Sequence, residues 1–75
     1  MPEGRSMAFL NPLDKLAFQV AIRARRAEFP TKSGMTIILN YEQKPGLVWY
    51  ENKVSVVPCG WLNVDDVLSP AWLRS

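Results

Sequence analysis

The chain has 75 residues, of which 48% are hydrophobic, and nine basic against seven acidic side chains give it a net charge of +2. This length predicts one small domain, residues 7–75, preceded by a polar, disordered tail at residues 1–6. The longest apolar runs are far shorter than the roughly 18 residues of a membrane span, and no secretory signal is recognisable at the N-terminus. A single cysteine cannot form an internal disulfide, so we expect a cytoplasmic protein.

A helix start is encoded at Asn11-Pro12. Asparagine can cap the free backbone N–H groups of a first helical turn, and proline suits the first helical position. Asp14 adds a negative charge where the helix dipole favours one. We predict a helix from residue 12 to about residue 29, ended by Pro30 and the TKSG turn that follows it.

On a helical wheel the predicted helix is amphipathic. Its longest apolar stripe follows the i, i+3, i+4, i+7 rule and comprises Leu13, Leu16, Ala17, Val20, Ala24 and Ala27. A different side carries Lys15, Gln19, Arg23 and Arg26, and a second apolar strip beside Arg25 comprises Phe18, Ile22 and Phe29. We expect the helix to face the core with its apolar side and solvent with its basic side.

From residue 35 onward the pattern is typical of β-structure. Residues 35–42, 46–51 and 53–57 are rich in β-branched and aromatic side chains, and a fourth short strand is predicted at 61–64. Pro45-Gly46 suits the centre of a type II turn, and a tight turn is predicted around Asn52. One or two helical turns follow, the last beginning at Ser69-Pro70.

These elements predict an α+β fold. One N-terminal helix packs on a three- to four-stranded antiparallel sheet, and a short helical turn ends the chain. The sheet is a meander, with curling into a small SH3-type barrel left open as an analogy from strand length and order.

Catalytic constellations are scarce in this sequence. Histidine is absent, which removes the commonest general base and metal ligand, so we expect no enzyme activity, cofactor or metal. Asp65-Asp66 is interpreted as a helix cap and a first-turn acid. Cys59, between Pro58 and Gly60, is interpreted as a small packing residue at a bend.

Three features suggest binding instead. The apolar arm before the helix offers Phe9 and Leu10, the basic helix side offers Lys15, Arg23 and Arg26, and the sheet offers Trp49 and Tyr50. Each has a structural alternative. The arm could dock on the protein's own core, the charges could simply be solvated, and Trp61 with Trp72 could form a lid over the second face of the sheet.

The sequence therefore favours a small protein-binding regulator or inhibitor, monomeric when alone, that docks on a larger macromolecular machine. Small bacteriophage regulators of host transcription share this size and lack of catalytic residues, so RNA polymerase is the first expected partner. One alternative is a nucleic-acid-binding protein that uses the basic helix side and the sheet aromatics, and its affinity would fall steeply with salt. The other is a structural subunit of a larger assembly.

Overall fold

A computed structural model describes residues 10–53 and 59–74. The elements follow in the order α1 (Pro12–Arg23), β1 (Glu28–Pro30), β2 (Thr36–Asn40), β3 (Leu47–Asn52), β4 (Gly60–Asn63), α2 (Val64–Leu68) and a 3-10 helix, η1 (Pro70–Arg74). The four strands form one antiparallel sheet in the spatial order β1-β2-β3-β4. The predicted α+β meander with a helical C-terminal turn is confirmed.

The start of α1 is as predicted, but its end is not. Asn11 Oδ1 accepts a hydrogen bond from the Asp14 backbone N–H at 2.8 Å, with Pro12 at the first helical position. The helix ends at Arg23 instead of continuing to about residue 29. Residues 28–30 instead form β1, a strand that the helical pattern concealed, and Phe29 pairs with Ile37 in the register of the sheet.

A Schellman motif ends the helix. The Arg26 N–H donates to the carbonyl of Ala21 at 3.0 Å, and the Arg25 N–H donates to that of Ile22 at 3.1 Å. This geometry puts Arg25 in the left-handed region with φ 54°. Glycine usually occupies that position, and a residue with a Cβ pays roughly 1 kcal/mol there. Since the usual glycine signal is missing, the sequence pattern overran the end of the helix.

The turn between β2 and β3 has the predicted chemistry. The Leu47 N–H donates to the carbonyl of Lys44 at 3.3 Å, and Gly46 has φ 76°. Those values match a type II turn with Pro45 and Gly46 at its centre. The turn fixes the register of β2 against β3, in which Leu39 lies opposite Tyr50.

The connection from β3 to β4 differs from the prediction. Asn52 is the last residue of β3 and not the centre of a tight turn. Most of the predicted strand 53–57 lies outside the described residues, and Lys53 is in a bend. The predicted strand 61–64 is present as β4, one residue earlier, and it pairs directly with β3. Three of the four strands of the sheet, β2, β3 and β4, therefore correspond to predicted strands, and β1 is the one that was not predicted.

The core lies between α1 and one face of the sheet. Alternate strand residues point towards the helix, namely Phe29, Ile37, Leu39, Val48, Tyr50 and Leu62. Phe18 is fully buried among them, with its ring centroid 5.2 Å from that of Phe29 in an edge-to-face contact. On its other side Phe18 stacks on Trp72 at 5.7 Å, so the C-terminal segment closes the core.

The rotation of α1 about its axis is opposite to the wheel prediction. Its three largest aliphatic stripe residues, Leu13, Leu16 and Val20, are 63%, 51% and 61% exposed. Ala17, Ala24 and Ala27 are exposed as well. The shorter strip, with Phe18 and Ile22, faces the sheet instead. A buried aromatic ring contributes more apolar area than the alanines of the longer stripe, so side-chain volume outweighs the number of apolar positions.

The type II turn yields a stability prediction. Gly46→Ala should lower the free energy of unfolding by roughly 1 kcal/mol, because a Cβ is unfavourable at φ 76° although nothing lies within 4 Å of it. Gly60→Ala is the matched control, since its Cβ would make an ordinary 3.7 Å contact with the Tyr50 ring. Urea denaturation of both variants measures the difference. Equal losses would contradict the assignment of backbone strain to Gly46.

Candidate functional site

The most unusual surface of the described fold is the outward side of α1. We define the outward stripe as Leu13, Leu16, Ala17 and Val20, all of which are exposed. Among the exposed residues of α1, only Arg23, at its last position, carries a charge. A helix face turned towards water is normally polar. An uncharged aliphatic face of this kind marks a surface suited to contact with another molecule.

Polar side chains lie on the inward side of the helix, and the fold provides hydrogen-bond partners for them. The Gln19 side-chain N–H donates to the carbonyls of Val67 at 2.7 Å and Ser69 at 3.2 Å. Lys15 Nζ donates to the carbonyl of Trp72 at 3.4 Å and lies 5.0 Å from the centre of its ring. These contacts attach α2 and η1 to α1.

Asp14 joins the helix to the loop before β2. Its carboxylate accepts from the Lys32 backbone N–H at 3.1 and 3.3 Å. Asp14 is itself buried, so the first turn of the helix is fixed on its inward side. Together with the Gln19 and Lys15 contacts, this leaves α1 little freedom to rotate, and its outward stripe is held in place.

Several residues that the sequence assigned to partner binding are inside the protein. Leu10, Lys15 and Tyr50 are only 5%, 4% and 0% exposed, so the exposure expected for them is corrected. Leu10 joins the core, as the structural alternative for the arm proposed, while Phe9 lies outside the described residues. Lys15 is buried because α1 turns that side towards η1, and burial lowers its pKa below the ordinary value.

Arg23 and Arg26 are exposed, as expected, and lie at the C-terminal end of α1. The exposed Arg25 lies between them, with its guanidinium carbon 4.7 Å from the centre of the Tyr41 ring. Positive charge is therefore concentrated just beyond one end of the outward stripe. Cations near the C-terminus of a helix are also favoured by the helix dipole.

Trp49 is half-buried on the open face of the sheet, opposite α1. Its ring packs edge-to-face on Trp61 at 5.1 Å, and its indole N–H donates to Glu51 at 2.7 Å. Lys44 Nζ lies 5.1 Å from the centre of the Trp61 ring. The structural alternative, a lid of Trp61 and Trp72 over this face, is wrong, since Trp61 belongs to the sheet itself and Trp72 is buried against Phe18 on the helix side.

Acidic residues flank these aromatics. Glu28 and Glu51 lie on either side of Ile38 in one cross-strand row, next to the row that contains Trp49 and Trp61. Carboxylates repel a phosphate backbone, so the open face is a poor platform for stacked nucleotides. The aromatic and basic features expected to act together on nucleic acid lie on different surfaces.

Chemistry-bearing clusters are not found in the described parts of the chain. Across residues 10–53 and 59–74, no group of three or more Asp, Glu, Cys or His side chains could hold a metal ion. The same residues contain no helix of the length and apolarity required to cross a membrane.

Cys59 is exposed, so its interpretation as a packing residue is not supported. Asn63, and not Asp65 or Asp66, caps α2, while both acids lie in its first turn.

Comparisons of the sequence with protein-family models, and of the chain with curated proteins and solved structures, find no match. Function is therefore inferred from the surface of the described residues. The wheel did identify the residues of the outward stripe, but it assigned them to the core. The signal in the sequence was that both sides of the helix are partly apolar, which means that only one of them can be buried by this small sheet.

The orientation of α1 can be tested with two adjacent residues. Gln19→Ala should cost roughly 1–3 kcal/mol of unfolding free energy, because the carbonyls of Val67 and Ser69 lose their donor. Val20→Ala should change stability by less than about 0.5 kcal/mol, since Val20 is 61% exposed. Urea denaturation measures both. The reverse order would mean that the longer stripe faces the core after all.

The Tyr41 hydroxyl provides a pH-dependent prediction. It donates to the carbonyl of Arg26 at 2.6 Å, and burial raises the pKa of Tyr41 above 10.0 despite the opposing charge of Arg25. Because the folded-state pKa exceeds the unfolded-state value, the resulting stabilisation is complete below about pH 10 and is lost as the pH rises through the folded-state pKa.

We expect Tyr41→Phe to cost up to about 1 kcal/mol at neutral pH, from the lost hydrogen bond. The stability gap between wild type and variant should narrow above about pH 10. Urea denaturation at about pH 8 and about pH 11 measures the stability gap at each pH. The other ionisable groups are common to both proteins, so their contributions cancel in this difference. A gap that stays constant would contradict this role for the hydroxyl.

Proposed function

We propose that this protein is a non-enzymatic regulator or inhibitor that binds a larger protein by inserting the outward stripe of α1 into an apolar groove. The observation that carries the proposal is the exposure of Leu13, Leu16 and Val20, each more than half exposed, with no exposed charged side chain among them. Burial of such side chains in an interface is the main source of affinity in protein association.

The spacing of the stripe suits this mode of binding. Leu13, Leu16, Ala17 and Val20 stand at positions i, i+3, i+4 and i+7, the anchor pattern of a helix that lies in a groove. The helix is already folded and is fixed on its inward side by the contacts of Asp14, Lys15 and Gln19. Binding therefore requires little further ordering, which favours affinity.

A second copy of the chain fits the stripe less well. In an antiparallel pair of α1 helices, each Arg23 would approach the positive N-terminal end of the other helix, where the Asp14 carboxylate is buried on the inward side and is not exposed beside the stripe. In a parallel pair, the two Arg23 side chains would repel each other. Charge therefore favours a groove with acidic residues near the Arg23 end.

Interface area supports the same choice. A helix of 12 residues is about 18 Å long, and a stable interface buries about 800 Å² per partner. That is about a sixth of the chain's accessible surface of 4770 Å². A helix buries less surface in side-by-side contact with a second helix than it does when a groove encloses it. A larger partner with a groove can also contact Arg23, Arg25 and Arg26.

RNA polymerase remains the first partner to test, on the grounds of chain size and the lack of catalytic residues. Nucleic acid is less well supported as a partner, because the exposed side of α1 carries one charge and the strands place Glu28 and Glu51 on the open face. A structural subunit would use the same stripe within a permanent assembly.

The test compares the same substitution on two faces of the protein. Leu16→Lys places a charge in the outward stripe, and Leu47→Lys places one on the open face of the sheet. Both variants and the wild type are used to capture partners from native host lysate with and without nuclease treatment, and purified RNA polymerase is a separate arm. Titration of the captured protein then gives its affinity for each variant.

We expect Leu16→Lys to weaken binding by about tenfold or more, the effect of losing one buried leucine, while Leu47→Lys binds like wild type. The melting temperature of Leu16→Lys should remain within about 2 °C of wild type, because the site is half-exposed. Equal loss in both variants, sensitivity to nuclease, or a concentration-dependent dimer abolished by Leu16→Lys would each overturn the proposal. The last result would assign the stripe to a second copy.

A further inference from the structure

Arg25 occupies a backbone position that favours glycine. It has φ 54° and is the residue after the C-cap of α1, where the Schellman motif requires the left-handed conformation. A residue with a Cβ at that position is strained, so fold stability alone would favour glycine. Strain of this kind tends to persist where the side chain has a function.

The Arg25 side chain is held in place by Tyr41. Its guanidinium carbon lies 4.7 Å from the centre of the Tyr41 ring. The ring is fixed in turn, because its hydroxyl donates to the carbonyl of Arg26 at 2.6 Å. A guanidinium positioned by an aromatic ring loses less freedom when it pairs with an oxyanion, and its planar set of N–H donors matches the two oxygens of a carboxylate.

A cavity of about 350 Å³ adjoins this guanidinium, lined by Arg25, Ala27, Leu39, Asn40, Tyr41 and Glu42. Asn40 Oδ1 accepts from the Glu42 backbone N–H at 2.9 Å, which leaves the amide NH₂ of Asn40 as a further donor. Glu42 contributes a negative charge to the lining, and that charge opposes a doubly charged phosphate group more strongly than a single, singly charged carboxylate group.

We propose that Arg25, positioned by Tyr41 and assisted by Asn40, recognises a carboxylate from an acidic side chain of the protein that binds the outward stripe. This inference rests on the proposed function, and it names the group that the partner places just beyond the end of α1. Arg25 comes two residues after the last residue of the helix, so one partner surface can contact both. The strained arginine then serves recognition, and glycine would serve the fold better.

The carboxylate site can be tested without the partner. Glutarate, a small dicarboxylate, and inorganic phosphate are titrated separately into the ¹⁵N-labelled protein while the Arg side-chain Nε–H signals are followed by NMR. We expect glutarate to shift the Arg25 signal saturably, and we expect its affinity to be higher than that of phosphate. In Arg25→Gly and Arg25→Lys, followed through the Asn40 amide signals, glutarate binding should weaken by about tenfold, whereas Arg26→Gln, the matched loss of charge, should retain it.

Stability provides the second readout. Arg25→Gly should unfold at the same or a higher urea concentration than wild type, because the backbone strain is relieved. A clear loss of stability would indicate a structural arginine and overturn the proposal. Equal shifts of the Arg23, Arg25 and Arg26 signals would show that the anion binds to positive charge without specificity, and this result would overturn the proposal. Tighter binding of phosphate than of glutarate would overturn the carboxylate assignment.

The two proposals can fail separately. Leu16→Lys should leave glutarate binding unchanged, since the stripe is not part of the cavity lining. If Leu16→Lys loses the partner while Arg25→Gly keeps it at wild-type affinity, the docking stripe stands and the carboxylate contact is wrong. If glutarate binds at Arg25 but no partner depends on Leu16, the proposed function fails and the link between the two sites fails with it.

Discussion

Burial of the Phe18 ring determines the orientation of α1 and, through it, the character of the surface. Phe18 packs between Phe29 of β1 and Trp72 of η1, and it is fully buried. At about 100° per residue, Leu16 and Val20 lie about 160° from it on the opposite side of the helix. Once Phe18 enters the core, those two aliphatic residues must face outward. The exposed stripe is thus a consequence of core packing.

The same rotation brings polar side chains into the interior, and the C-terminal segment makes that arrangement stable. A buried amide or ammonium group is costly unless it has a hydrogen-bond partner. Carbonyls of residues 67, 69 and 72 supply partners to Gln19 and Lys15. The short helices α2 and η1 therefore do more than cover the core. They provide hydrogen-bond partners for the polar side chains on the inward side of α1, and they hold this helix in a fixed orientation.

Local features of the fold were predictable because short-range chemistry determines them. The Asn11 cap and the Pro45-Gly46 turn depend on residues three or fewer positions apart, and both are present. The helix rotation was not predictable by counting apolar positions, because two apolar strips competed and ring volume decided between them. The helix end was missed because Arg25 takes the place of the expected glycine. As a result, the sequence located the residues of the candidate stripe without indicating which way they face.

Under the proposed function, the charge distribution would orient the partner and the outward stripe would supply the affinity. Arg23, Arg25 and Arg26 are exposed at the end of α1, and Glu28 and Glu51 lie on the open face of the sheet. An acidic partner surface is attracted to the first group and repelled by the second, which selects the helix side during the encounter. The aliphatic stripe has no directional preference of its own, since hydrophobic contact is non-directional. A fixed cation beyond one end of the helix would therefore determine which way α1 lies in the groove.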